Sequence, residues 1–306
     1  NIEVKFDYVV NDGNGVAVTT ANNAKLESEE QTLTLKIALA DATVTDGHIT
    51  GALVFEDMNG DKIFDEGETF TYTNESGDFN TNAFSGEYGL VAIGGTDIST
   101  GLAFTGTLTA PAGSTVLSPL TTLVQSLMEL DPTLSVEEAS SKVKTSLGID
   151  SSIDLTTYDS YAIATDSTSS EAAKETANSV QKIAVQLVIL MTQESSALDS
   201  ITDMINDSDN IDLTSVEDIT TILVTSDTNI INAISNLNQA VNNASLVSVE
   251  DISKVQTLVK DVIESAQNEI VLSVDEISAQ ASEVVVNKLP VVTIVSTLAA
   301  NEDQST

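Results

Sequence analysis

Oxygen-bearing side chains at Asp57, Asn59, Asp61, Asp65 and Glu68 fall at positions 1, 3, 5, 9 and 12 of one twelve-residue stretch, Asp57 to Glu68. That is the spacing with which a short loop wraps a calcium ion. Calcium is a hard cation that takes six to eight oxygens at about 2.3–2.6 Å, so the loop must turn back on itself and point alternate side chains inward. Asp57, Asn59 and Asp61 are each expected to supply one oxygen and Ile63 its backbone carbonyl. Asp65 would bind directly or through water, and Glu68 with both carboxylate oxygens. An acidic, solvated Asn-Gly turn explains Asn59 and Gly60 from backbone preference, but it does not explain a glutamate at position 12. One departure from the pattern stands at position 6, normally glycine for a sharp turn, which is Lys62 here.

The flanks are β-branched or aromatic and alternate: His48 to Phe55 upstream, Thr69 to Thr73 downstream. The loop is therefore expected to join strands rather than helices, which separates it from a helix-loop-helix calcium sensor. Strands are expected at Ile2 to Val10, Gln31 to Ala40, His48 to Glu56, Thr69 to Thr73, Glu87 to Ile93 and Leu102 to Ala110. Short alternating strands at this spacing predict an antiparallel β-sandwich.

From Ser118 the period changes to that of a helix. Ser118-Pro119 is a helix start, with Leu120, Leu123, Val124, Leu127 and Met128 on one face and Asp131-Pro132 as the stop. The capping pattern Ser-Val-acidic-acidic recurs at Ser135, Ser215, Ser248 and Ser273. Three of the four carry an apolar staple, Leu134 to Ala139, Val247 to Ile252 and Leu272 to Ile277. The longest helix is expected over 169–192, buried along Ala177, Val180, Ala184, Leu187, Val188 and Met191. With neighbours at 219–241 and 252–271 it predicts an antiparallel bundle whose core is Val, Ile, Leu and Ala only.

All twelve aromatic residues lie at or before Tyr161, which marks two architectures. The fold class expected is α+β by segregated domains, an antiparallel β-sandwich in the N-terminal half and an α-helical bundle in the C-terminal half. The divisions fall at 1–45 (strands), 46–112 (the calcium-binding sandwich), 113–289 (helices) and 290–306. That last stretch contains a β-branched terminal strand, Pro290 to Thr297.

Composition narrows the chemistry. The 306 residues carry 47 acids against eleven lysines and no arginine, a net charge of −36. Nucleic acid and anionic membrane faces are disfavoured, because both need clustered cations and arginine's bidentate fork; cations are the favoured ligands. Without cysteine there are no disulfides, zinc-thiolate sites or thiol catalysis. An acidic surface of this kind suits a secreted protein in salty, calcium-containing water. No apolar run approaches the ~20 residues of a membrane span, so no membrane insertion is expected. With no starting methionine, the chain is expected to be a mature form or an excerpt.

Catalysis is not expected. His48 is the only histidine and reads as an ordinary exposed strand residue, so a zinc pair or a second choice of base is missing. Carboxylate pairs for glycoside hydrolysis usually sit among stacking aromatics, and the chain has no Trp. The loop Asp207 to Asp212 alternates carboxylates but has no closing glutamate and reads as solvated.

Several stretches carry a resemblance. Phe6 to Gly15 resembles the closing strands of cadherin-like tandem repeats in giant bacterial surface proteins, and Leu298 to Asp303 resembles the opening of the next repeat. Asp46 to Phe55, with the acidic loop and Asn74 to Phe79, is similar to a calcium-binding B-type sandwich of serine-aspartate repeat adhesins. Gly94 to Gly101 and Val116 to Val124 resemble segments that follow such sandwiches in large repeat-containing secreted proteins. The resemblance implies a non-catalytic extracellular module of an adhesin or matrix protein, in which calcium stiffens a chain of domains. The partners it implies are calcium and neighbouring domains. An alternative makes the chain a fibre subunit, pairing with copies of itself through terminal strands. No motif specifies a cell-surface receptor.

Overall fold

The structure is a computed structural model that describes residues 2–8, 31–37, 42–194, 196–245 and 248–284, the first two segments as backbone only. Contacts divide the chain into two compact units, 1–41 and 42–306. In the first, β1 (Ile2–Tyr8) pairs antiparallel with β2 (Gln31–Ile37), in register from Ile2 opposite Ile37 to Tyr8 opposite Gln31. The expected extensions to Val10 and Ala40, and the terminal strand Pro290 to Thr297, lie outside the described residues.

The second unit is mixed, with sheets first and helices after. Its strands are β3 (Ala42–Val44), β4 (Ile49–Thr50), β5 (Leu53–Asp57), β6 (Phe70–Tyr72), β7 (Asp78–Phe79), β8 (Gly89–Ile93), β9 (Thr96–Asp97), β10 (Thr107–Ala110) and β11 (Val116–Leu117). One sheet runs β10-β8-β5-β6 and is antiparallel throughout. A second runs β11-β3-β7, and β4 pairs with β9. The expectation of purely antiparallel pairing is corrected here, because β11 lies parallel to β3, Val116 opposite Thr43. The four-stranded sheet and its connections form the long crossover that parallel neighbours require.

The single strand expected over His48 to Glu56 is two. Gly51 turns the chain at φ +70°, and Gly95, at φ +96°, packs against that corner. A β-carbon on Gly95 would stand 2.7 Å from both the Ile49 side chain and the Thr50 carbonyl, so only glycine fits.

Helices follow: α1 (Pro119–Leu130), α2 (Val136–Ser146), α3 (Ser160–Thr165), α4 (Glu171–Gln193), α5 (Ala197–Asn206), α6 (Val216–Ile222), α7 (Thr228–Asn243), α8 (Val249–Thr257), α9 (Val259–Gln267) and α10 (Val274–Glu283). One cluster of buried apolar residues belongs to the strands, among them Val44, Val54, Leu90 and Leu108. A larger one belongs to the helices, among them Leu123, Leu187, Ile201, Ile234 and Val262. The first turn of α1 joins the two parts: Thr121 Oγ1 donates to the Thr109 carbonyl (2.9 Å), and the Thr109 amide donates to Thr122 Oγ1 (2.9 Å). Backbone groups on the outer edge of β10 are thereby satisfied by helix side chains.

The four expected capping boxes divide by chemistry. At Ser135 and Ser273 the N3 residue is glutamate, and both reciprocal bonds form. At Ser215 the N3 residue is Asp218, one methylene shorter, and its carboxylate accepts from the Asp212 amide instead (2.7 Å). Ser248, followed by Asp251, makes no side-chain cap bond. The Ser135 bonds hold the Glu138 carboxyl below its ordinary range. A depressed folded value means that this stabilisation is complete above the ordinary carboxylate range and lost as pH falls through the folded value. Ser135→Ala should lower the melting temperature by roughly 2–4 °C at neutral pH. The gap from the parent should narrow in acid; a pH-independent gap in paired calorimetric scans would refute the box as its cause.

The aliphatic-only helical core is also corrected. Asn178, Gln181, Lys182 and Gln186 on α4 and Asn238 on α7 are buried. Three of them donate to backbone carbonyls: Lys182 Nζ to Asn242 O (2.9 Å), Gln186 Nε2 to Asn238 O (2.8 Å) and Asn238 Nδ2 to Leu213 O (2.6 Å). Burial lowers the Lys182 pKa.

Candidate metal centre

Asp57 is the last residue of β5 and Phe70 the first of β6, so the acidic loop joins paired strands, as its flanks predict. Its opening is a chain of side-chain turns. Asp57 Oδ1 accepts from the amides of Gly60 (2.8 Å) and Asp61 (3.2 Å), and Oδ2 from that of Lys62 (2.9 Å). Asn59 Oδ1 accepts from the Asp61 amide and Asp61 Oδ1 from the Ile63 amide. Glu68, 9% exposed, closes the loop: Oε1 accepts from the Met58 amide (2.9 Å) and Oε2 from the Asp65 amide (3.0 Å). The carboxylate at position 12 thus ties the start of the loop to its later part.

Lys62 has φ +62°, the left-handed turn for which this position usually takes glycine. A lysine there carries a strain cost, yet the backbone takes the turn. The side chain leaves the loop, and Nζ meets Glu129 Oε2 on α1 at 2.8 Å. The loop's one cation therefore neutralises none of its own carboxylates. Ile63 is 63% exposed, which leaves its backbone as the part able to serve an ion. Phe64 anchors the outer arm, its ring 5.5 Å from Phe55 and 4.9 Å from Phe70.

Asn59 Nδ2 donates to Asp61 Oδ2 (3.0 Å) and Asp65 Oδ2 (2.9 Å), so three of the side chains singled out by spacing lie together. The amide hydrogens supply there the positive charge that the two carboxylates seek. Among the described residues no group of three His, Cys, Asp or Glu side chains is by itself placed to hold a metal. Asp57 and Glu68 face backbone amides, and the convergent third donor is an amide rather than a carboxylate. Asp207 to Asp212 shows its own turn chemistry, Asp212 Oδ1 accepting from Thr214 N (2.9 Å) and Oγ1 (2.7 Å).

His48 is not the ordinary exposed strand residue the sequence suggests. It sits in a turn at φ +60°, its side chain 14% exposed, with Nε2 at 2.8 Å from Asp159 Oδ2 and 3.0 Å from Oδ1. Its ring lies 4.8 Å from that of Tyr161. Burial alone would lower its pKa, but the bond and charge of Asp159, with Asp78 and the Ser76 backbone, raise it overall. For Asp159, burial is likewise outweighed, and its pKa is lowered. Burial and the nearby acids push Tyr161 to about 12. Asp159 also caps α3 through the Ala162 amide (2.8 Å) and accepts from Thr43 Oγ1 (3.0 Å). The pair is a strut between the β3–β4 turn and α3, with the imidazole committed to it. No local pattern links residues 111 positions apart, so nothing in the sequence marks them as partners.

Among the described residues no helix is long and apolar enough to cross a membrane. No family model matches the chain, and no curated protein or solved structure does so.

Proposed function

We propose that this chain is a non-catalytic structural module of a secreted, calcium-dependent bacterial surface adhesin or extracellular matrix protein, built as a β-sandwich followed by a helical bundle. The observation that carries the reading is the closure of the 57–68 loop by Glu68, with Asn59, Asp61 and Asp65 converging inside it. Asp57, Asn59, Asp61, Asp65 and Glu68, with the Ile63 carbonyl, would hold the ion. A bound calcium ion supplies charge neutralisation and a crosslink between the ends of β5 and β6. The loop joins strands, so it has no helix pair to open and acts as a staple rather than a sensor. The net charge of −36 and the absence of arginine and cysteine agree with a calcium-stiffened extracellular part.

A second reading, a self-assembling fibre subunit, draws on one observation. Among the described residues β6 ends its sheet, leaving an edge to which a strand from another copy can add.

Calorimetric melts over a calcium series, with sedimentation on the same samples, test both readings. Calcium at about 100 times its Kd should stabilise by ~2.7 kcal/mol, a rise of roughly 5–10 °C, reversed by chelator. An unchanged melt in excess chelator overturns the calcium reading. A monomer at every concentration overturns the fibre.

A further inference from the structure

A second pair of carboxylates, outside the 57–68 loop, is the most deeply buried acid pair described. Asp46, in the turn after β3, is 2% exposed, and Asp97, the last residue of β9, is 3% exposed. Asp97 is well supplied with donors: the Ser99 amide at 2.7 Å from Oδ1 and Thr100 Oγ1 at 2.8 Å from Oδ2. Asp46 is not. Its Oδ2 accepts from Gln256 Nε2 on α8 (2.7 Å), and its backbone carbonyl from Gln181 Nε2 on α4. Its Oδ1 has no partner, and neither has Gln256 Oε1, although both atoms are fully buried.

These groups meet at a cavity of about 120 Å³, lined by Asp46, Asp97, Thr100 and Gln256 with an apolar wall that includes Phe104 and Ile189. The cations of neighbouring elements are committed elsewhere. Lys254 on α8 faces Glu250 (3.4 Å) and Asp251 (3.7 Å), Lys182 on α4 serves carbonyls, and His48 is held by Asp159. Burial, and for Asp46 the charge of Asp97, push both carboxyls up. Buried charges in proteins are paired or coordinate metals. A proton on one acid would cancel one charge of the pair, whereas a divalent ion cancels both and also takes the orphaned oxygens.

We infer that the Asp46, Asp97 and Gln256 cluster is a second cation site, taking a calcium ion through Asp46 Oδ1 and Gln256 Oε1 with Asp97 as the balancing carboxylate. The inference rests on the calcium reading above and extends it. The ion would clamp the turn after β3 to α8, so that calcium locks strands to helices as well as β5 to β6.

Isothermal titration of the whole chain with calcium chloride separates the two claims. The parent should bind two ions, Glu68→Gln one, Asp46→Asn one and the double variant none. A parent that binds a single ion, lost on Glu68→Gln, overturns the second site and leaves the loop standing. A parent that binds none overturns the loop reading as well. Gln256→Glu keeps the test decisive if Asp46→Asn does not fold. A third carboxylate should tighten calcium at this site at least about tenfold if an ion sits there, since calcium affinity rises with ligand charge. Unchanged or weaker binding in Gln256→Glu counts against the site, and leaves a protonated or hydrated acid pair.

Discussion

Glu68→Gln is expected to abolish calcium binding at the 57–68 loop and to weaken the loop without calcium as well. Losing a supporting partner of a metal ligand costs about 10–100-fold in affinity. Losing the charge and one oxygen of the residue meant to bind through both should cost more. In the structure the two Glu68 oxygens accept from the Met58 and Asp65 amides. A glutamine offers one oxygen and one NH2, which sets a donor against a donor at one end. An amide left unsatisfied costs about 1–3 kcal/mol when buried, and Glu68 is 9% exposed. The melting temperature should fall by a few degrees in chelator and by more in calcium, because calcium no longer restores it. A variant that binds and is stabilised like the parent would show that the ion, if any, lies elsewhere.

Asp159→Ala is expected to be strongly destabilising. It removes the partner of His48, the N-cap of α3 and the acceptor of Thr43. Breaking a buried ion pair from one side costs up to about 3–5 kcal/mol, and here the imidazole left behind limits the cost by losing its proton, which burial favours. Side-chain exposures of 14% and 16% place this pair near that limit. In a chain of this size the loss corresponds to roughly 6–20 °C in melting temperature. Adding His48→Gln should recover part of it in mild acid, where the imidazole left behind is charged, and little at neutral pH. Urea unfolding of both single variants and the double variant measures the coupling. A loss below about 1 kcal/mol in Asp159→Ala would place the pair with exposed bridges.

The acidic loop was legible as a strand-joining turn because its whole specification is local. Donors every second residue, glycines at the bends and a glutamate at the end sit within one stretch, so spacing alone draws the turn. The same holds for the boxes at Ser135 and Ser273, whose partners stand three residues apart. It fails at Ser215 and Ser248, where one missing methylene sends the aspartate elsewhere. Strands with several alternating residues, such as Gly89–Ile93, were legible too. β3, β7, β9 and β11 were not, because two or three residues carry no period and extend only where a partner is ready to pair.

Residue order by itself determined the change from strand to helix after Ser118, the helix starts, the anionic surface and the oxygen-lined loop. Each of these depends on neighbours within a few positions or on composition. Tertiary structure alone decided which polar groups went inside. Asp46, Asp97, Asp159, Gln181, Lys182 and Gln256 look like surface residues, and their hydrogen-bond partners stand up to 210 positions away. Burying them is tolerable only once folding has brought an acceptor, a donor or a counter-charge within reach, and chain-local patterns carry no record of that meeting.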